Sequence, residues 1–227
     1  MFIVPSTIAS VVRFPTGFSV AAIGPRPAVR LELYEFESCP FCRKVREALT
    51  MLDLEVLVKP TPNRGERFRP EAVALGGRSR FPLLVDRNHD AVLYESDAIV
   101  AHLYKHYGAG PVPLGLRLGP ITMASSAVAS LVRAGHGGRA KPSRAPAKPL
   151  ELWSFEGSPY ARRAREVLCE LELSYVLHNV GRQSPSRPAL LARAGKVQVP
   201  YLEDPNTGTK MFESREIVRY LQATYAT

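Results

Sequence analysis

Residues Leu31 to Val45 read Leu-Glu-Leu-Tyr-Glu-Phe-Glu-Ser-Cys-Pro-Phe-Cys-Arg-Lys-Val, and residues Leu150 to Ala164 read Leu-Glu-Leu-Trp-Ser-Phe-Glu-Gly-Ser-Pro-Tyr-Ala-Arg-Arg-Ala. The chain is a duplication, and only one copy carries the cysteines Cys39 and Cys42; the other has Ser158 and Ala161 in their places. Leu31, Leu33 and Phe36 predict a strand, and Pro40 suits the first position of the helix that follows, where its missing N–H would be unpaired anyway. Val45, Ala48, Leu49 and Leu52 then fall at i, i+3, i+4 and i+7 and make one apolar helix face, repeated by Ala164, Val167, Leu168 and Leu171. Two cysteines with two residues between them, set where a strand hands over to a helix, form a redox motif.

Outward from that motif both copies continue alike. A second strand is predicted at Glu55 to Val58 and Ser174 to Leu177, then a helix near Pro70 to Leu75. Strands follow at Phe81 to Val85 and Ala91 to Tyr94, matched by Val199 to Leu202 and Thr209 to Phe212, and closing helices at Ser96 to Tyr107 and Ser214 to Tyr225. The order β-α-β-α-β-β-α gives a parallel first pair joined by a helical crossover and a final hairpin, an α/β architecture. The expected organisation is an N-terminal arm (1–30), a first domain (31–107), a basic linker (108–149) and a second domain (150–227). Each core alone buries a modest share of its surface, so the copies are expected to pack on each other.

The formal net charge of +9 lies in the connections. Residues 1–30 carry Arg13, Arg26 and Arg30 and no acid; residues 108–148 carry Arg117, Arg133, Arg139, Lys141, Arg144 and Lys148 and no acid. Such arms offer a surface to an acidic partner, and equally read as solvated linkers. Ile8 to Arg13 (Ile-Ala-Ser-Val-Val-Arg) matches Val128 to Arg133 (Val-Ala-Ser-Leu-Val-Arg), so a short amphipathic arm helix is expected ahead of each core. The acid-free start also has the composition of an organelle-targeting peptide, but a segment that recurs in mid-chain argues against a cleaved address.

Three cysteines in 227 residues do not make a secreted disulfide scaffold, and a reducing compartment fits better, a plastid included. No run approaches the roughly 18 to 20 apolar residues that span a bilayer. Cys39 sits at a helix N-cap, where free N–H groups and the helix dipole favour a thiolate, and Arg43, Lys44 and Arg46 are expected to add cations around it. Cys42 lies one turn into the helix and is placed to resolve a mixed disulfide. Cys169 aligns with Thr50, off the apolar face, and reads as an unreactive helix cysteine. His102 and His106 lie four apart on one helix without an evident third ligand and read as surface or edge residues, so no metal is expected. Tyr104, Tyr107, Tyr220 and Tyr225 read as packing. Gly76-Gly77 and Gly137-Gly138 lack the setting of a phosphate loop, so no nucleotide is expected.

Cys39-Pro40-Phe41-Cys42, the Phe81-Pro82 step and Glu95-Ser96-Asp97-Ala98-Ile99 together resemble the glutaredoxins and the N-terminal, glutathione-binding domain of the glutathione transferases. The resemblance implies two tandem thioredoxin-like domains, each a four-stranded mixed sheet flanked by helices. It implies a cis proline at Pro82 facing the active sulfur, with the backbone of Phe81 offered to glutathione. Glu95 and Ser96 would hold the γ-glutamyl end, and Phe41 would line the same site. Copy two keeps Val199-Pro200 and Glu213-Ser214, and Ser158-Pro159-Tyr160 resembles the start of serine-type glutathione transferases, so Ser158, Val199, Pro200, Glu213 and Ser214 outline a second glutathione-like groove. Ala161 ends any dithiol role there, and no helical second domain of the transferase type follows. Over nearly its whole length the chain resembles tandem proteins of two such domains, known in bacteria and plant plastids.

The leading expectation is a glutathione-linked thiol-disulfide oxidoreductase, with Cys39 as nucleophile and glutathione as cosubstrate. Its competitors are a non-catalytic binding or adaptor protein and, by resemblance to some glutaredoxins, an iron–sulfur cluster carrier with Cys39 and glutathione as ligands. Glutathione conjugation through Ser158 comes last, because no electrophile pocket is visible in the sequence.

Overall fold

Strand β1 (Leu31–Glu35) runs into helix α1 (Pro40–Met51) and returns as the parallel strand β2 (Val56–Pro60), pairing Leu31 with Val56 and Leu33 with Val58. In this computed structural model residues 17–117 and 136–227 are described. Helix α2 (Arg69–Gly76) leads to the antiparallel hairpin β3 (Leu83–Asp86) and β4 (Ala91–Tyr94), and α3 (Ser96–Tyr107) closes the copy. A short helix α4 (Leu114–Arg117) follows, unanticipated in the sequence reading. Copy two repeats the series with β5 (Leu150–Ser154), α5 (Pro159–Glu170), β6 (Tyr175–Asn179), α6 (Arg187–Ala194), β7 (Tyr201–Asp204), β8 (Thr209–Phe212) and α7 (Ser214–Tyr225). The expected arm helices at Ile8 to Arg13 and Val128 to Arg133 lie outside the described residues.

Two details differ from the sequence reading. Strands β3 and β7 begin two residues later than expected, at Leu83 and Tyr201, because the cis prolines Pro82 and Pro200 lie just before them and have no N–H to give a ladder. More important, the copies do not form separate four-stranded sheets. Their eight strands make one sheet in the order β4-β3-β1-β2-β6-β5-β7-β8. The join is the antiparallel pair β2 and β6, with Val56 opposite Leu177 and Val58 opposite Tyr175. Pairing these edges satisfies N–H and C=O groups that each copy would otherwise expose.

The sheet carries helices on both faces. Leu31, Leu33, Val45, Ala48, Leu49 and Leu52 join Leu150, Leu152, Leu168 and Leu171 in one apolar core under α1, α3, α5 and α7. Each fully buried leucine or valine among them contributes about 1.5–3 kcal/mol. On the other face α2 covers Tyr34, Leu83 and Val85, and α6 packs Leu190 against Trp153 and Tyr201. The closing helices are pinned from their last turns: the Tyr107 hydroxyl donates to Asp86 at 2.7 Å, and Tyr225 donates to Asp204.

The seam between the copies is ionic and dry. Arg46 pairs with Glu35, with Glu37 and, 2.9 Å away in copy two, with Glu156. Arg165 reciprocates, meeting Glu37 at 3.1 Å and Glu156 at 2.7 Å. Arg43 and Arg162 flank these pairs, all nearly solvent-free. Buried networks of this kind add little net stability and are costly to break, so they fix which surfaces meet.

The described parts of the two arms cross over the seam. Phe18 and Val20 exchange backbone hydrogen bonds with Arg182 of copy two, while Gly138 and Ala140 exchange them with Asn63 of copy one. Gly17 and Gly137 have φ near +73° and +72°, and a Cβ on Gly137 would come within 2.7 Å of the Glu37 Cβ. Glycine lets the arms lie directly on the ion pairs. Several arm cations are spent inside the fold: Arg26 donates to the carbonyls of Leu52 and Asp53, Lys141 pairs with Glu170, and Arg144 donates to Thr224.

Candidate active site

Cys39 caps α1 at its N-terminus, and the Cys42 N–H donates to its sulfur at 3.3 Å. The free N–H groups of the first turn converge there, so a negative charge is favoured at the cap. As a thiol, Cys39 points at the Phe81 carbonyl, 3.9 Å away, one residue before the cis bond to Pro82. Beside it lies a cleft of about 250 Å³ lined by Phe41, Arg80, Phe81, Pro82, Tyr94, Glu95 and Ser96. Every residue expected to build the glutathione site is in this lining except the two cysteines. Cys39, 3% exposed, reaches the cleft through its contact with the Phe81 carbonyl, and Cys42 is fully enclosed.

The thiols differ in acidity. A hydrogen bond from the Cys42 thiol lowers the Cys39 pKa most; burial opposes it, and the backbone N–H groups of Cys42 and Phe41 reinforce it, leaving the value below an ordinary cysteine's. Burial pushes Cys42 well up, and the neighbouring Cys39 pushes it further. The expected help from Arg43, Lys44 and Arg46 is not the cause. Arg46 and Arg43 turn into the seam, and Lys44 pairs with Asp97 at 2.5 Å. The cap and the partner thiol do the work.

Glu95 precedes α3 with φ 64° and makes no side-chain cap, so it is not an ordinary helix cap; its carboxylate is exposed with Arg80 3.8 Å away. A non-glycine residue held in that conformation costs of order 1–3 kcal/mol and marks a position the fold insists on. Ser96, buried, opens the helix, so its N–H groups face the cleft end where a carboxylate would bind.

The second groove is built from the same positions with different chemistry. Tyr160, Gln198, Val199, Pro200, Glu213 and Ser214 line it, the Val199-Pro200 bond is cis, and Glu213 has φ 68°. Ser158 is buried and accepts from the Ala161 N–H at 3.2 Å, the same capping bond that Cys39 makes. Gln198, where copy one has Arg80, donates to Glu213 at 2.5 Å and occupies its carboxylate.

The sequence model of the glutathione S-transferase N-terminal domain matches residues 33–111 and again 152–227, well over half of the chain. The chain belongs to the glutathione S-transferase N-terminal domain family. Similar solved structures include a Bombyx mori glutathione transferase, BmGSTD1, 26% identical over 38% of this chain and 39% of that one, with a TM-score of 0.34. A delta-class glutathione transferase of Nilaparvata lugens is 29% identical over 34% of this chain and 36% of its own, with a TM-score of 0.31. The Leishmania protein TDR1, described as a unique trimeric glutathione transferase, is 13% identical over 88% and 68%, with a TM-score of 0.31. The chain thus aligns with well under two thirds of the length of either insect enzyme. No curated protein matches the sequence.

Within this family fold some side chains behave differently from their sequence reading. His102 is not a bare surface residue: its Nε2 lies 2.8 Å from Asp86, and a third histidine, His89 from the hairpin turn, packs at a tilt against His106 with ring centroids 3.8 Å apart. Among the described residues, no group of three or more His, Cys, Asp or Glu side chains is arranged to hold a metal ion. No helix among them is long and apolar enough to cross a membrane.

Proposed function

We propose that the chain is a glutathione-linked thiol-disulfide oxidoreductase whose nucleophile is Cys39. The observation that carries this reading is the split in acidity between two adjacent thiols, the lowered one capping α1 against the Phe81 carbonyl that lines the cleft, and the raised one fully enclosed. A thiolate attacks disulfides; a protonated neighbour within reach then resolves the product. In this reading the Phe81 backbone and Pro82 receive the cysteinyl part of glutathione. Ser96 and the α3 N-terminus bind its glutamyl carboxylate, Glu95 pairs with its ammonium group, and Phe41, 44% exposed, covers it. Copy two serves as the packing partner that completes the sheet, and the units 31–107 and 150–227 are the two domains of the chain. Free cysteines buried in both copies suit a reducing compartment.

The test is glutathione-dependent reduction of a small mixed disulfide by wild type, Cys39→Ser, Cys42→Ser and Ser158→Ala. Turnover abolished in Cys39→Ser and kept in Ser158→Ala supports the reading, and Cys42→Ser separates monothiol from dithiol chemistry. A wild type with free thiols and no turnover sinks it and moves the weight to a non-catalytic binding role.

A further inference from the structure

Helices α2 and α6 begin on the same residue type, Arg69 in copy one and Arg187 in copy two, and the two arginines share one contact. Each donates to the carbonyl of the residue just past the preceding strand, Arg69 to Thr61 at 3.0 Å and Arg187 to Val180 at 3.4 Å. Arg69 reaches further. Its guanidinium also donates to the Pro62 carbonyl at 2.7 Å and to the Ser79 hydroxyl at 3.2 Å, and it lies over the Phe81 ring, 4.9 Å from the centroid. A planar fork of donors can hold several acceptors while its face rests on an aromatic ring. Copy two has Val197 and Val199 where copy one has Ser79 and Phe81, so Arg187 meets neither a hydroxyl nor a ring at those places.

The loop that leads into Phe81 is held from its other side by Tyr94. The Tyr94 hydroxyl donates to the Arg78 carbonyl at 2.8 Å and accepts from the Arg78 N–H at 3.2 Å. A Cβ on Gly76 would run into that hydroxyl, so the glycine makes room for it. Copy two has Ala194 for Gly76 and Phe212 for Tyr94, and the hydroxyl and the space for it are lost together. Four paired differences between the copies therefore concern one loop, and its two fastenings occur in the copy that carries the dithiol. The loop ends at the Phe81 carbonyl, which faces Cys39 at 3.9 Å. A loop ordered before its ligand arrives loses less conformational freedom on binding.

We propose that Arg69 and Tyr94 are positioning residues of the cleft, clamping the loop from Arg78 to Arg80 so that the Phe81 backbone is presented to the cysteinyl part of glutathione. The proposal rests on the glutathione-linked reading of this site. Arg69 and Ser79 act from outside the cleft lining, so their effect on the ligand passes through the loop.

The experiment uses the reduced full chain and glutathione-dependent turnover of a small mixed disulfide. Ser79→Val and Tyr94→Phe, singly and together, install the residues copy two uses, so each variant keeps a packing that the fold already contains. The double variant should raise the KM for glutathione roughly tenfold with a much smaller change in kcat. Cys39 draws its acidity from groups on α1, so the pH profile of its alkylation should stay at the wild-type position. Arg69→Lys keeps the charge and loses the fork, and it should raise the KM likewise. Arg187→Lys makes the same change in copy two and should leave the KM alone; urea midpoints show which variants are folded. An unchanged KM in the folded double variant overturns the proposal. Equal effects of Arg69→Lys and Arg187→Lys also overturn it, since the arginine would then be a structural tie in both copies. Calorimetric titration of wild type with glutathione separates this proposal from the reading beneath it. Binding without turnover sinks the oxidoreductase reading, and the same loss is then read in the dissociation constants of the variants; no binding at all overturns the clamp as well.

Discussion

The Cys169 sulfur accepts a hydrogen bond from the Glu37 N–H at 3.4 Å across the seam, and Thr50, its counterpart, accepts from the Glu156 N–H at 3.1 Å in the opposite direction. A thiol and a hydroxyl do one job from two sides. Each holds the backbone of a loop whose carboxylate feeds the ion-pair network. Cys169→Thr should therefore be tolerated, whereas Cys169→Val leaves the Glu37 N–H buried and unpaired and should cost about 1–3 kcal/mol. Urea denaturation of the two variants makes the comparison.

The same placement separates the three thiols in reactivity. Burial pushes Cys169 well above the usual thiol range, as it does Cys42, while Cys39 is lowered. Brief alkylation of the native protein at neutral pH should modify Cys39 first and leave Cys42 and Cys169 until the chain is unfolded. Peptide mapping by mass spectrometry reads the order.

Arg46 is the cation on which three carboxylates converge, two from its own copy and one from the other. Arg46→Met removes the charge and keeps most of the volume. It should cost about 3–5 kcal/mol, because it leaves buried carboxylates uncompensated. A chemical-denaturation curve tests the size, and a loss below about 1 kcal/mol would show that water reaches the seam.

His178 spans the join of the copies, 2.7 Å from Glu55 of copy one and hydrogen-bonded to Glu151 of its own. Burial disfavours its charged ring, but the two carboxylates outweigh that and raise its pKa above the ordinary histidine value. The stability it contributes is fully present below about pH 6.5 and is lost as pH rises through the raised folded value. Glu55, lowered to about 2, contributes above the ordinary glutamate range and loses its share only as pH falls toward that value. Wild type should therefore lose stability between neutral and mildly alkaline pH, and His178→Gln should flatten that slope. Denaturation midpoints across the range decide it.

Gly137 gives a fourth handle on the seam. Its φ of +72° and a Cβ position 2.7 Å from the Glu37 Cβ make Gly137→Ala strained in conformation and in space. A loss of about 1–3 kcal/mol is expected. Thermal unfolding, with Gly208→Ala as a control whose φ is similar but whose Cβ meets nothing within 4 Å, separates the two causes.

Local features of this fold were legible because their causes are local. The apolar face of α1, the proline at its start and the closing helices Ser96–Tyr107 and Ser214–Tyr225 all follow from neighbours a few residues apart. Gathering Phe81, Pro82, Glu95 and Ser96 beside Cys39 followed from the family pattern. The fates of Arg43 and Arg46 did not, because Glu156 lies 110 residues beyond Arg46 and nothing near Arg46 announces it. Charges are read as solvated until a partner surface is known. The join of β2 to β6 was hidden for the same reason: an edge strand does not encode which edge it will meet. His89 was missed because a histidine in a turn carries no periodicity to link it to His106.

The reciprocal crossing of the arms orders events in time. Phe18 and Val20 find their backbone partners at Arg182, so the first arm cannot be seated until synthesis has passed Arg182, inside the second copy. During synthesis the ion pairs around Arg46 wait with it, open to water and short of Glu156. The dithiol thus acquires its dry surroundings only once the second copy has joined the first. A nascent first half exposes its cysteines in a setting that the finished molecule does not share.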